Sequence, residues 1–186
     1  EGAVMASARV TDPQGKDLFS YWTLLPLWKD LLDTGLITRR LFKDMLNTPP
    51  YRLPNAGDEG SRLVDAVPGS FFMLKPGLLT PQDIEGLFDS RIFLYYEEKV
   101  LGRKFQEMGL KTVLVTDESY VHAHSATIDK SLKRMVDKQR LLHQSKLYYY
   151  REYLHAGPAL MAAAGVALDI ILAEVWFLTV VCRMRW

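Results

Sequence analysis

Ala3 to Val10 is a short, mostly apolar run that ends at Asp12-Pro13-Gln14-Gly15, a turn signal. The pattern predicts a buried strand leaving into a loop. From Tyr21 to Leu46 apolar residues recur at helical spacing, at Leu24, Leu27, Leu31, Leu41 and Met45. Gly35 divides this stretch into two helices, and Pro49-Pro50 closes the second. Asn47 to Ser61, rich in Pro, Gly and Asn, predicts a loop. Val64 to Leu74 is the next strand candidate. Pro68-Gly69 lies inside it, and Pro is tolerated in a strand only at an edge, a start or a bulge, so the strand is expected mainly over Ser70 to Leu74.

Thr80-Pro81 is a helix start, with Thr80 as N-cap and Pro81 in the first turn, and that helix runs to about Leu87. Tyr96 to Met108 is helical by pattern, with Val100, Leu101, Phe105 and Met108 on one side and Gly109 as C-cap. Lys111 to Val115 predicts a strand and Tyr120 to Ala123 a second, shorter one. Thr127 to Leu154 predicts a long helix with Ile128, Leu132, Met135 and Leu142 as its apolar stripe. Gly157-Pro158 stops it, and Ala159 to Cys182 forms a second, apolar helix. Strands alternating with helices give an α/β fold, with too few strands for a complete doubly wound sheet.

Composition adds limits. The chain has 186 residues, 48% of them hydrophobic, which suffices for a packed core. A net charge of +1 gives no reason to expect nucleic acid as the partner of the whole chain. Cys182 is the single cysteine, which excludes an internal disulfide and fits a reducing compartment. The first residues carry no basic region followed by an apolar stretch and a cleavage site, so no signal peptide is expected. Position 1 is Glu rather than Met, and the chain is expected to derive from a longer parent.

The chemistry is concentrated between Val67 and Thr127. Glu97 and Glu98 stand at the start of a predicted helix. Acids there are favoured by the helix dipole alone. They also suit removal of a proton from a hydroxyl, provided burial or the neighbouring acid raises the pKa. His122 and His124, two apart on an extended segment, point the same way and permit joint binding of one metal without requiring it.

Order and spacing together raise the functional reading. Gly69, Phe88-Asp89, Glu97-Glu98, Leu101, Arg103, Gly109 and His122 through Thr127 follow one another as in the second half of family 2 inverting glycosyltransferases. The run resembles in particular bacterial enzymes of the rhamnosyltransferase type that build surface polysaccharides. Ala3 to Lys16 resembles the strand and turn that follow the metal-binding Asp-x-Asp in that family, so the resemblance covers about residues 3 to 155. It implies a partial GT-A fold lacking its nucleotide-binding half, with an acceptor-side half over 1–126, a basic and aromatic helix over 127–156 and an apolar helix over 157–186. No Asp-x-Asp occurs in this chain, so the resemblance implies that the donor half lies upstream and that this chain alone does not turn over.

By the same resemblance Glu98 corresponds to the catalytic base and Glu97 to its acceptor-orienting partner. His122 corresponds to the histidine that completes a Mg²⁺ or Mn²⁺ site, because Thr127 then falls on the family's Ser or Thr; His124 is the fallback. Gly69, Asp89 and Arg103 fall on the acceptor or diphosphate side, with a structural role favoured for Arg103. The parent would take a nucleotide-sugar donor and transfer the sugar, with inversion, to a glycan or lipid-linked acceptor in surface polysaccharide synthesis. Its place would be cytoplasmic, at the inner face of the cell membrane. The acidic pair is Glu-Glu where the family mostly has Glu-Asp. The extra methylene moves the carboxylate by about 1.5 Å, one bond length, and the acceptor pocket must accommodate that.

Between Asp129 and Glu152 basic residues outnumber acidic ones, then come Tyr148, Tyr149, Tyr150 and Tyr153, then the apolar run. Basic, aromatic and apolar is the order of a membrane surface. Eleven Leu, Ile, Val and Phe residues lie between Leu160 and Val181. Each favours insertion by roughly 0.3–0.6 kcal/mol, whereas Asp169 and Glu174 oppose it by roughly 2.5–3.5 kcal/mol apiece. The terms nearly cancel, which favours an interfacial or protein-packed helix over a lone span. A competing reading is a non-catalytic membrane-surface or interaction module on a degenerate transferase scaffold. Glycoside hydrolysis ranks below both, because adjacent Glu97 and Glu98 do not supply two carboxylates across a scissile bond.

Overall fold

The computed structural model describes residues 2–46, 60–92, 94–122 and 134–183. His124, Thr127, Ile128 and Leu132 lie outside the described residues. The protein has an α/β fold with a mixed four-stranded sheet and two long C-terminal helices. Contacts cluster in two units that interleave along the chain, 1–24 with 48–91 and 97–124, and 25–47 with 92–96 and 125–186.

The first unit holds the sheet. Strand β1 (Ala3–Thr11) pairs in parallel with β4 (Lys111–Val121), and β2 (Ser61–Val64) and β3 (Met73–Leu74) flank them as antiparallel edges in the order β2-β4-β1-β3. Helix α5 (Glu97–Glu107) packs on the sheet through Leu101 and Phe105, which join Val4, Met5, Val67 and Leu87 in one buried cluster. Gly102 is where helix and chain come closest. A Cβ there would lie 2.3 Å from the carbonyl oxygen of Asp65, so only glycine fits. A short helix, α4 (Pro81–Glu85), starts as expected at Thr80. The Thr80 side chain accepts from Asp83 N–H while the Asp83 carboxylate accepts from Thr80 N–H, a reciprocal cap. Gly109, at φ +70°, ends α5.

Three strand expectations are corrected. Lys111 to Val121 is one strand, not two. The register jumps from Ala8 opposite Val115 to Arg9 opposite Ser119, so the intervening polar residues bulge out of a continuous strand. Arg9 holds the bulge, its Nε donating to Thr116 O at 2.6 Å while Nη1 meets Asp17 at 2.7 Å. The strand expected over Ser70 to Leu74 shrinks to Met73–Leu74, because the Phe71 carbonyl accepts from Ser7 Oγ at 2.7 Å instead of joining a ladder. Ser61–Val64, expected to be loop running into the next strand, is an edge strand stabilised by pairing with β4.

The second unit is helical. Helices α1 (Leu27–Thr34), α2 (Leu36–Leu41) and α3 (Lys43–Leu46) follow one another, with the break at Gly35 as expected. The first begins six residues later than Tyr21, since Pro26 disfavours helix before it and Trp22 pairs instead with Ala66 in an isolated bridge. Helices α6 (Met135–Glu152) and α7 (Pro158–Trp176) pack on each other, and α7 continues as a π-turn over Phe177–Val181. The α6 face that is buried is not the expected apolar stripe. Met135 is exposed, and the inward side carries Gln139, His143, Ser145, Lys146, Tyr149 and Tyr150.

Asp30 explains why that face is polar. Its side chain is 2% exposed, and its Oδ2 accepts from Lys146 Nζ at 2.7 Å, Tyr150 Oη at 2.6 Å and Tyr96 Oη at 2.5 Å. Burying a carboxylate is costly unless a cation and hydrogen bonds compensate, and here one cation and two hydroxyls do so. Burial, with the charge of Asp30 adding to it, drives the Tyr96 and Tyr150 hydroxyls well above their ordinary range, so both stay protonated donors.

Candidate functional site

Gly69 and Glu98 are brought together by the first unit. The Gly69 N–H donates to Glu98 Oε1 at 3.2 Å. A Cβ at position 69 would stand 3.3 Å from the same oxygen, so glycine lets the main chain approach the carboxylate closely. Glu98 is in the first turn of α5, where the helix dipole also favours negative charge. One oxygen of Glu98 is therefore fixed by the main chain, which orients the group.

Glu97 is half-buried beside it. Burial pushes its carboxyl above the ordinary carboxylate value; its own backbone N–H opposes this and the neighbouring Glu98 charge adds to it. The chain enters this helix through two residues with left-handed backbone, Tyr95 at φ 65° and Tyr96 at φ 75°. Aromatic residues rarely adopt that region, and such strain clusters at functional sites.

The loop that carries Gly69 also meets β4. Ser70 Oγ and Tyr120 Oη lie 2.7 Å apart, and the Phe71 and Tyr120 rings stack at a tilt with centroids 5.1 Å apart. Burial raises the Tyr120 hydroxyl above its ordinary value, so it stays protonated at neutral pH. Tyr120 was not singled out from the sequence. The signal was its i, i+2 relation to His122, which puts both on one side of extended chain.

His122 follows the last residue of β4, and its N–H donates to Thr11 O at 2.9 Å. It thus stands at the carboxyl ends of the parallel β1–β4 pair, the usual side for ligands in such sheets. The Asp12 turn lies beside it, but Asp12 Oδ1 is occupied by the N–H groups of Gln14 and Lys16. His124 falls outside the described residues. Among the described residues, no three His, Cys, Asp or Glu side chains are grouped so as to hold a metal ion. The described residues thus do not fit a complete Mg²⁺ or Mn²⁺ site, which needs several oxygen ligands.

Asp89 and Arg103 are not gathered with Glu98 by any contact described. The Asp89 side chain is 6% exposed and is gripped by Arg91, whose Nε and Nη2 lie 3.0 and 3.1 Å from its two oxygens. Arg103 pairs through Nη1 with Gln106 at 2.9 Å, and its Nε is buried. Five positions beyond Glu98, it projects about 140° around the helix from the carboxylate. A small cleft lined by Leu63, Asp65, Gly102, Gln106, Lys111 and Thr112 lies at the opposite end of β4 from Tyr120 and His122.

Compared with known protein families, with characterised proteins and with solved structures, the chain matches none.

Proposed function

We propose that this chain is the acceptor-side half of an inverting glycosyltransferase with a partial GT-A fold. The single observation that carries the reading is the Gly69 N–H bond to Glu98. It joins two residues, 29 positions apart, that the resemblance assigns to one site. Glu98 is the base. With one oxygen held by Gly69, the other takes the proton of the acceptor hydroxyl, and that hydroxyl oxygen attacks the anomeric carbon of the donor in line, inverting it. Half-buried Glu97 orients the acceptor, and Tyr120 borders the same loop.

The donor is a nucleotide sugar bound by a half that is not among these residues. A Mg²⁺ or Mn²⁺ ion, with His122 as one ligand and His124 as the alternative, would supply neutralisation of the leaving diphosphate. The acceptor is a glycan or lipid-linked hydroxyl, presented at the inner face of the cell membrane.

The test is Glu98→Gln in a parent protein carrying both halves. The expected outcome is a fall in kcat of at least about 100-fold, the scale of a general base, with donor binding nearly unchanged. Near-normal turnover removes Glu98 from the role. A second reading, a non-catalytic membrane-surface module, is favoured by the exposed apolar side of α7. It predicts a parent without transferase turnover.

A further inference from the structure

Helix α7 has two sides of opposite character. Ala164, Leu168, Ile171 and Val175 form a buried stripe, while Val166, Ile170 and Phe177 are exposed on the other side, Val166 at 62% and Ile170 at 65%. With Ala163 and Ala173 these exposed residues make one line at alternating spacings of three and four, free of charge along its length. The two acids of the helix flank this line. Glu174 Oε1 accepts from the Ile37 N–H at 2.7 Å, at the start of α2, whereas Asp169 is exposed beside Val166 and Ala173, one charge at the edge of the line and within electrostatic reach of His143.

A second apolar line begins where Glu174 meets α2. Ile37, Leu41 and Met45, at spacings of four, are exposed at 51%, 71% and 42%. Arg39, Arg40, Lys43 and one acid, Asp44, lie between them in sequence, a balance of positive charge, and Arg183 follows the end of α7. Apolar residues interleaved with basic ones are the signature of a helix lying in an anionic membrane surface. A protein partner would instead be expected to meet a polar rim with hydrogen-bonding groups. The apolar segment Pro158–Val181 has 24 residues, about 36 Å of helix, and only 22% of its most apolar stretch is buried.

We propose that the second unit docks on an anionic lipid bilayer through two elements at once, the outward line of α7 and the Ile37–Leu41–Met45 line of α2 and α3. The helix lies on the surface rather than crossing. Its inner stripe is packed on protein, and its partner α6 carries Asp137, Lys138, Arg140, Arg151 and Glu152, which a spanning helix would drag into hydrocarbon. Glu174 ties the two lines together through α2, one of its oxygens accepting from the Ile37 N–H.

This deepens the membrane placement in the proposed function, and the experiment reads lipid binding alone, so its failure and a failure of the transferase chemistry are told apart. The full chain is floated with vesicles of phosphatidylcholine and of phosphatidylcholine mixed with phosphatidylserine, alongside Leu41→Asp and Val166→Asp. Leu41→Gln repeats the first without adding charge. Far-UV circular dichroism and sedimentation report folding and self-association. The expected result is flotation with the anionic vesicles, reduced about tenfold by each Asp variant and less by Leu41→Gln, with unchanged spectra. Wild-type flotation by both Leu41 variants overturns the two-element docking and leaves α7 alone. A wild-type chain that stays with the soluble fraction overturns it too. If that chain is a dimer dissociated by Val166→Asp, the surface is an interface between copies.

Discussion

The main-chain N–H of Gly69 donates to the carboxylate of Glu98, and there is space at position 69 for a hydrogen but little for a methyl group. Gly69→Ala would place a Cβ 3.3 Å from Oε1, and the carboxylate must give by a few tenths of an ångström. In the parent protein the variant is expected to fold normally and to lose about tenfold in kcat, since small misplacements of a catalytic group are costly. Steady-state kinetics together with a thermal melt checks this. An unchanged kcat means that the hydrogen bond does not position the base.

Under the proposed function, His122 and His124 are told apart by their effect on metal activation. In the parent, His122→Ala is expected to raise the Mg²⁺ or Mn²⁺ concentration needed for half-maximal activity by at least about tenfold, the lower end for loss of a group that tunes metal affinity. His124→Ala is expected to have a smaller effect. Metal titration of both variants decides the ranking, and the reverse order moves the ligand to His124.

Asp30 anchors Lys146, Tyr96 and Tyr150 in the interior of the second unit. Asp30→Ala leaves the Lys146 ammonium buried without its carboxylate, and the expected loss is about 3–5 kcal/mol of stability. Asp30→Asn keeps the shape and still removes the counter-charge, so it too should be strongly destabilising. Urea unfolding of the chain measures both. A loss below about 1 kcal/mol would show that the pair is not buried as described.

His143 gives the second unit an acid sensitivity. Burial lowers its pKa from 6.5 to about 4, with the Lys146 charge adding to the effect and Asp169 opposing it; Gln139 lies 2.9 Å from its Nε2. The folded state therefore prefers the neutral ring. Below about pH 6.5 the unfolded chain takes up a proton that the folded chain refuses, so stability falls until about pH 4 is reached. His143→Gln removes this component, and its denaturation midpoint should fall less between pH 7 and pH 4 than that of the wild type. Parallel slopes for the two proteins would contradict the assignment.

Local features were the ones legible in the sequence. Thr80, Pro81 and Asp83 announce a helix start because all the groups of the cap lie within one turn. Gly35 and Gly109 mark breaks for the same reason. Ser61–Val64 does not look like a strand, since its residues are mostly exposed and its pairing is supplied by distant β4. The polar residues Thr116 to Glu118 resemble a turn, and only the register with β1 shows them as a bulge. At the site, the order of motifs placed Gly69 and Glu98 together. It gave no hint of the Ser70–Tyr120 contact, nor of Asp30 and Lys146, which meet across 116 positions.

The parallel pairing of β1 with β4 bears on how the chain acquires its structure. Ala3 through Thr11 has its central neighbour in Lys111 through Val121, so the first strand emerges long before the partner that completes its ladder. The helical unit waits in the same way, because Asp30 needs Lys146 and Tyr150. Contacts between distant residues form slowly, and unpaired strand edges are prone to aggregate meanwhile. The first unit cannot complete its sheet before Lys111 to Val121 is made, nor the second its centre before Lys146 and Tyr150 are. A nascent chain stalled before Lys111 should be protease-sensitive across residues 3–110, and protection should set in only once β4 and α6 have emerged.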